Sequence, residues 1–124
     1  MNAAEKTRLV VEAALDVKAE DVVALDVKEL ASFADVFVVA TGRSDRQVRA
    51  VADSIEEAVR EAGAPVLGVE GYSEGRWVLI DLDDVIVHVF QPEARLHYDI
   101  ERLWSDAPRL EVPHAPPAPV EKRV

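Results

Sequence analysis

A single α/β domain, with a mixed β-sheet of about five strands and flanking helices, is the fold that the sequence predicts. Two segments have helical periodicity and alternate with β-branched runs, a pattern typical of layered α/β architectures. A strand, helix, strand unit is followed by a hairpin, which requires parallel and antiparallel strands in one sheet. The 124 residues, 49% of them hydrophobic, are enough for one core but not for two.

The N-terminal segment predicts a helix over residues 3–16 and a buried strand over residues 22–27. Asn2 can cap the helix, and Glu5 stands three residues later, where it completes a capping box. The strand segment is β-branched and mostly apolar. Residues 28–34 have the mixed character of a short helical or turn connection.

The middle of the chain contains the clearest helix signal. Residues 36–41 are almost wholly apolar, which predicts a strand covered on both faces. Ser44 and Gln47 have the spacing of a second capping box. Apolar residues then recur at helical spacing as far as Gly63, which stands where a left-handed cap belongs. This helix should span about residues 45–62.

The next segment predicts a strand and then a β-hairpin. Residues 66–69 are the strand, and residues 77–81 and 85–90 are the two arms of the hairpin. An acidic turn at Asp83 and Asp84 reverses the chain, because Asp forms local backbone hydrogen bonds in turns.

The composition of the C-terminal part changes at about residue 108. Residues 94–104 predict short helices with an apolar stripe that docks on the domain. Five of the seven prolines then fall within residues 108–124. We therefore expect a folded domain over residues 1–107 and a proline-rich, disordered tail over residues 108–124.

The acidic composition restricts the classes of partner that the chain is expected to bind. With 14 Lys and Arg against 24 Asp and Glu, the formal charge is −10, which disfavours binding to naked nucleic acid and favours encounter with basic proteins. The absence of Cys excludes disulfides and cysteine zinc sites. The N-terminus lacks a targeting pattern and no apolar stretch approaches membrane-spanning length, so we expect a soluble cytoplasmic protein.

Two places could support phosphate or metal chemistry. The junction Gly42–Asp45 precedes a helix, where backbone amides can hold an anion, although Gly42 and Ser44 also suit a simple turn and cap. Asp81, Asp83 and Asp84 could hold Mg²⁺, although the last two also suit a turn. A magnesium-dependent nucleotidyltransferase-like enzyme using Ser44, Asp81 and Asp83 is therefore the alternative hypothesis.

The hairpin also carries a large aromatic and a histidine. Trp77, Leu79 and Asp81 alternate with aliphatic residues, so they should share one face of their strand. Trp77 either packs beneath a helix or anchors a protein interface, where Trp is enriched. His88 shares its face with Phe90 and is more typical of a packed, hydrogen-bonded residue than of a catalyst.

Six segments of the chain together resemble one known family, and they occur in the order expected for that family. The resemblance runs from about residue 3 to 107 and is to the ribosomal silencing factor family, also called the Iojap family. The sequence departs from the family at Asp83, where Gly is frequent. The matching segments are Leu30–Asp35, Phe37–Gly42, Ser44–Val48, Glu70–Leu79, Val87–Phe90 and Tyr98–Trp104.

The resemblance implies a nucleotidyltransferase-like fold without that activity. It also implies a cytoplasmic translational repressor that docks on the large ribosomal subunit, through the basic protein numbered fourteen, and blocks joining with the small subunit. Such a role needs no catalytic residue, metal or cofactor. The family further suggests a homodimer when the protein is off the ribosome.

The resemblance also places the partner contacts on the hairpin. Trp77 and Leu79 would supply a buried anchor, and Asp81 would meet a basic group. Gly71 would allow close backbone approach. The full predicted contact set is Gly71, Tyr72, Arg76, Trp77, Leu79, Asp81, His88 and Phe90.

Overall fold

A six-stranded mixed sheet organises residues 1–112, the part of the chain that this computed structural model describes. The helices and strands, in chain order, are α1 (Ala3–Asp16), β1 (Glu20–Asp26), β2 (Val36–Thr41), α2 (Asp45–Glu61), β3 (Gly68–Glu70), β4 (Trp77–Asp81), β5 (Val85–Phe90), α3 (Pro92–Tyr98), α4 (Ile100–Leu103) and β6 (Arg109–Leu110). The α/β prediction is confirmed, with one strand more than expected.

The strands lie in the order β3-β4-β5-β2-β1-β6. Among the strands within residues 1–112, only β2 and β5 run parallel to each other. The segment between them along the chain contains α2, β3 and β4 and is long enough for the crossover. The other neighbouring strands are antiparallel. The predicted hairpin of β4 and β5 is confirmed, with Trp77 opposite Phe90 and Asp81 opposite Ile86.

The two long helices cover one face of the sheet. Val10 and Val11 of α1 and Ile55 of α2 are fully buried against the strands in the main core. All six residues of β2 are buried, which confirms the prediction of a strand covered on both faces. No helix within residues 1–112 is long and apolar enough to cross a membrane.

The two helix starts differ from each other in their capping. Asn2 accepts a hydrogen bond from the Glu5 backbone N–H at 2.8 Å and donates its own N–H to the Glu5 carboxylate at 2.9 Å, so the first capping box is confirmed. Ser44 accepts from the Gln47 N–H at 3.1 Å. The side chain of Gln47 donates instead to the carbonyl of Val17, so the second box is only half formed.

The opposite face carries a smaller core under the C-terminal helices. Phe37 and Phe90 from the sheet are buried there together with Ile100 of α4. The helices α3 and α4 are separated at Asp99, whose φ of 47° is left-handed. The prediction of short helices is therefore confirmed, but the predicted apolar stripe docks only through Ile100 and Trp104. Leu96 and Leu103, the other members of that stripe, are 81% and 76% exposed.

Three boundaries differ from the sequence prediction. The strand β1 begins at Glu20 instead of residue 22, and β3 begins at Gly68 instead of residue 66. The turns at residues 28–30 agree with the predicted helical or turn connection. Arg109–Leu110, assigned by sequence to the tail, pair with β1, and the Asp26 N–H also donates to the Pro108 carbonyl at 2.8 Å. Residues 113–124 of the predicted tail lie outside the described residues.

Candidate functional site

The strand β4 presents one mixed face away from α1 and α2. Val78 and Ile80 are fully buried in the main core, whereas Trp77, Leu79 and Asp81 are partly buried on the other side. This alternation follows from the two-residue period of a strand. The predicted grouping of Trp77, Leu79 and Asp81 on one face is therefore confirmed.

Trp77 is held in an aromatic cluster. Its ring centroid lies 5.1 Å from that of Phe90 and 4.5 Å from that of Tyr98. Its indole Nε1–H donates to Nδ1 of His88 at 3.1 Å. The structure confirms that Trp77 packs beneath α3, and the residue also keeps part of its surface exposed. Its role as an interface anchor stays a prediction.

His88 is a buried, neutral residue on the same face. Only 5% of it is exposed, and burial lowers the pKa of its imidazole from 6.5 to about 4. Since Nδ1 accepts from Trp77, the ring proton belongs on Nε2, and this buried atom has no hydrogen-bond partner within the described residues. This arrangement does not suit proton transfer near neutral pH.

Arg76 connects β4 to α3. Its guanidinium donates to both carboxylate oxygens of Glu93, at 2.9 and 3.1 Å, and to the Tyr98 hydroxyl at 3.2 Å. The same group lies 5.4 Å from the Tyr98 ring centroid. The Arg76 hydrogen bond lowers the pKa of Glu93. Arg76 thus fixes Tyr98 beside Trp77 while staying at the surface.

The loop before β4 is fixed to α2 and to β4 itself. The Tyr72 hydroxyl donates to Asp53 at 3.1 Å, and this bond raises the pKa of Tyr72. Gly71 has a φ of 82°, and a Cβ there would overlap the carbonyl oxygen of Trp77. Gly71 was predicted to allow the close approach of a partner's backbone. In this structure, the backbone that approaches Gly71 is that of the chain's own β4.

Two of the predicted contact residues are not at the surface. Phe90 is fully buried and His88 is 5% exposed, because α3 and Tyr98 cover that end of β5. The structure places both residues beneath the site as support. Tyr72, Arg76, Trp77, Leu79 and Asp81 keep exposed surface.

Sequence reasoning missed two residues of this site. Tyr98 and Glu93 on α3 complete the surroundings of Trp77 and Arg76. Pro92 at the start of α3 was a usable signal, since it ends β5 and begins a helix that must fold back at once. The spacing of residues along the sequence does not predict which side chains of α3 reach β4.

The residues of the enzyme alternative do not come together. Thr41, just before Ser44, pairs with Phe90 at one end of β5, whereas Asp81 pairs with Ile86 at the other end. Four strand positions separate these ends by about 13 Å. The nucleotidyltransferase-like site predicted from Ser44, Asp81 and Asp83 is therefore not assembled.

The three carboxylates at the hairpin turn have structural partners. Asp81 accepts from the Asp83 N–H at 2.9 Å, and Asp84 pairs with the buried Lys6 at 2.7 Å. Asp83 has a φ of 79°, a left-handed conformation that favours glycine and that Asp tolerates in turns. No group of three or more potential metal ligands occurs within residues 1–112.

The chain matches known proteins over nearly its whole length. The family model described as "Ribosomal silencing factor during starvation" matches residues 1–123. A ribosomal silencing factor of Halalkalibacterium halodurans is 45% identical over 112 residues, which cover 90% of this chain and 96% of that protein. A maize chloroplast protein named Iojap is 30% identical over 104 residues, covering 82% of this chain and 44% of that protein.

Solved structures agree with this match. A crystal structure of a protein from Chromobacterium violaceum superposes with a TM-score of 0.84 at 40% sequence identity. The superposition covers 97% of this chain and 99% of that one. The mixed sheet and its flanking helices are therefore shared with an experimentally determined fold.

Proposed function

The chain belongs to the ribosomal silencing factor family, and we propose that it represses translation by binding the large ribosomal subunit. The proposed docking partner is the basic large-subunit protein numbered fourteen. The bound chain then occupies the face where the small subunit must join. Family membership over residues 1–123 is the observation that carries this proposal.

The contact surface in this proposal is the exposed part of the β4 face, which we call the Trp77 face. It consists of Tyr72, Arg76, Trp77, Leu79 and Asp81. Trp77 and Leu79 supply apolar contact, which interface cores favour, and Asp81 meets a basic group at the rim. His88 and Phe90 act from beneath by shaping this surface, and the exposed Gly71 lets the preceding loop approach β4.

The charge of the chain supports a basic partner. A formal charge of −10 speeds encounter with a positively charged protein surface and slows encounter with exposed phosphate. Direct reading of ribosomal RNA is therefore not part of the proposal. We expect the protein to act in the cytoplasm, where it meets ribosomal subunits.

The proposed mechanism is steric exclusion and uses no catalytic residue, metal or cofactor. Stable occupation of one subunit surface is enough to prevent bridges to the other subunit. Off the ribosome, we expect the chain to form a homodimer, as its family suggests. Dimerisation would lower the concentration of free monomer without changing the contact chemistry.

A subunit-joining assay tests the proposal. Purified large and small subunits are mixed at a magnesium concentration that favours joining, and light scattering follows the product. Wild-type protein should reduce the joined fraction in proportion to its occupancy of large subunits. Leu79→Ala should be a weaker inhibitor, and Leu110→Ala on β6, at the far edge of the sheet, is the matched control. Undiminished joining at saturating wild-type protein would refute steric exclusion.

A further inference from the structure

We propose that His88 is a positioning residue, whose Nδ1 fixes the indole of Trp77 in the orientation that a partner recognises. This role goes beyond the packing function of a buried strand residue. It rests on the proposed function, because it assumes that Trp77 contacts the partner. His88 itself need not touch that partner.

The bond joins a diagonal pair across two strands. Trp77 lies opposite Phe90, and His88 lies opposite Leu79, so Trp77 and His88 are two positions out of register. Large aromatic side chains can reach across this diagonal. The donor is the indole Nε1–H and the acceptor is His88 Nδ1, with 3.1 Å between the nitrogens.

Packing alone would favour an apolar residue at position 88. His88 lies among rings, with centroids 5.3 Å from Phe37 and 6.1 Å from Phe90. Its buried Nε2 has no partner within the described residues, and an unsatisfied buried donor is unfavourable. The Nδ1 acceptor is therefore the one property by which His serves this position better than Leu.

An indole that is held in one orientation before binding favours recognition by the partner. The ring contacts with Phe90 (stacked) and Tyr98 (tilted) hold the indole within the cluster, and the directional bond at Nε1 selects one orientation of the ring. A side chain ordered before binding loses less conformational entropy in the complex. Removing the acceptor should thus weaken partner binding although Trp77 remains in place.

Two variants separate this role from packing. His88→Leu keeps an apolar side chain but removes the acceptor, whereas His88→Asn places an amide oxygen near the position of Nδ1. The first measurement uses the free protein. The Trp77 indole N–H resonance in a proton–nitrogen NMR spectrum should shift and exchange faster in His88→Leu, and Asn should restore it in part. Trp77→Phe assigns the resonance.

The second measurement compares stability with affinity for large subunits. His88→Leu should unfold at a denaturant concentration close to that of wild type, because removal of the unpaired Nε2 offsets the loss of the acceptor for the Trp77 indole. Its dissociation constant should nevertheless rise about 3- to 10-fold, the effect of one hydrogen bond. His88→Asn should recover part of that affinity.

The outcomes distinguish this proposal from the proposed function. If wild type fails to bind large subunits, the proposed function fails and the positioning role with it, whatever the spectrum shows. If wild type binds and His88→Leu binds equally well, only the positioning role fails. Equal losses of affinity in the Leu and Asn variants, in parallel with lost stability, would also overturn it, since packing alone would then explain both.

Discussion

Trp77 is partly exposed on the proposed contact surface and also has an internal structural role. It stacks on Phe90, packs at a tilt of 44° against Tyr98 and donates a hydrogen bond to His88. Truncation of this residue therefore changes the partner surface and the aromatic cluster together. Leu79, partly buried on the same face, is a cleaner probe of the surface.

We expect Trp77→Ala to weaken large-subunit binding by roughly 2–4 kcal/mol, as at a strong hot spot. The same change should lower the free energy of unfolding by about 1–3 kcal/mol, because the cluster loses a large ring. Leu79→Ala should weaken binding with a smaller cost in stability. Chemical denaturation measured beside each affinity separates the two effects. Unchanged affinity in both folded variants would remove the Trp77 face from the binding site.

His88 predicts a specific dependence of stability on pH. Its pKa is about 4 when folded and near the ordinary 6.5 when unfolded. Between these values the unfolded chain binds a proton that the folded chain does not, so this contribution to stability is complete above pH 6.5 and is lost as the pH falls towards 4. The loss reaches about 3 kcal/mol at pH 4.

The comparison of wild type with His88→Leu isolates this group from the carboxylates. The difference in unfolding free energy between the two proteins should change by about 3 kcal/mol from pH 7 to pH 4. Denaturant unfolding at several pH values measures it. A difference that is constant with pH would contradict the assignment of a neutral, buried His88.

At the scale of elements, the loop and the hairpin form one unit that presents the Trp77 face. Gly71 permits the loop to approach the backbone of β4, and Tyr72 ties the same loop to α2. At the other end, Lys6 of α1 donates to the Leu82 carbonyl and pairs with Asp84. The hairpin is therefore attached to both long helices.

Gly71→Ala should destabilise the fold by about 1–3 kcal/mol or more, since Ala would be strained at φ of 82° and its Cβ would overlap the Trp77 carbonyl. Gly68→Ala is the matched control on β3, because a Cβ there meets nothing within 4 Å. Thermal or chemical unfolding compares them. Equal stability of the two variants would contradict the account of this loop.

Elements with a strong repeating pattern could be predicted from the sequence, and those that depend on distant contacts could not. The bounds of α1, α2 and β2 follow from periodicity and caps. By contrast, β6 has only two residues, too few for any pattern. The Gln47 side chain bonds Val17 instead of its own helix start, which no local rule anticipates.

The candidate site was predictable to a similar degree. Alternation along β4 correctly put Trp77, Leu79 and Asp81 on one face. The burial of Phe90 could not be read, because it depends on where α3 folds back over the sheet. A period of two gives the face of a strand but not what covers it.

At the scale of the whole molecule, the two faces of the sheet differ in how completely the helices cover them. One side is covered by α1 and α2. The other is covered by α3 and α4 over β5, β2 and β1, which leaves the β4 surface accessible. The proposed interface therefore lies where the fold does not cover its own sheet.

The net charge predicts a salt-dependent association. If an acidic chain meets a basic partner, the association rate constant should fall as ionic strength rises, while the dissociation rate constant changes less. Stopped-flow or surface-based kinetics with large subunits over a range of salt concentrations measures both. An association rate that rises with salt would indicate like charges at the interface and would contradict a basic docking partner.

Cosedimentation with isolated subunits tests whether the chain binds the large subunit through the Trp77 face. Wild type, Leu79→Ala and Leu110→Ala are each sedimented with purified large subunits and, separately, with small subunits. We expect wild type and Leu110→Ala to sediment with large subunits only, and Leu79→Ala to be depleted from that pellet. Binding of wild type to small subunits, or to neither subunit, would contradict the account.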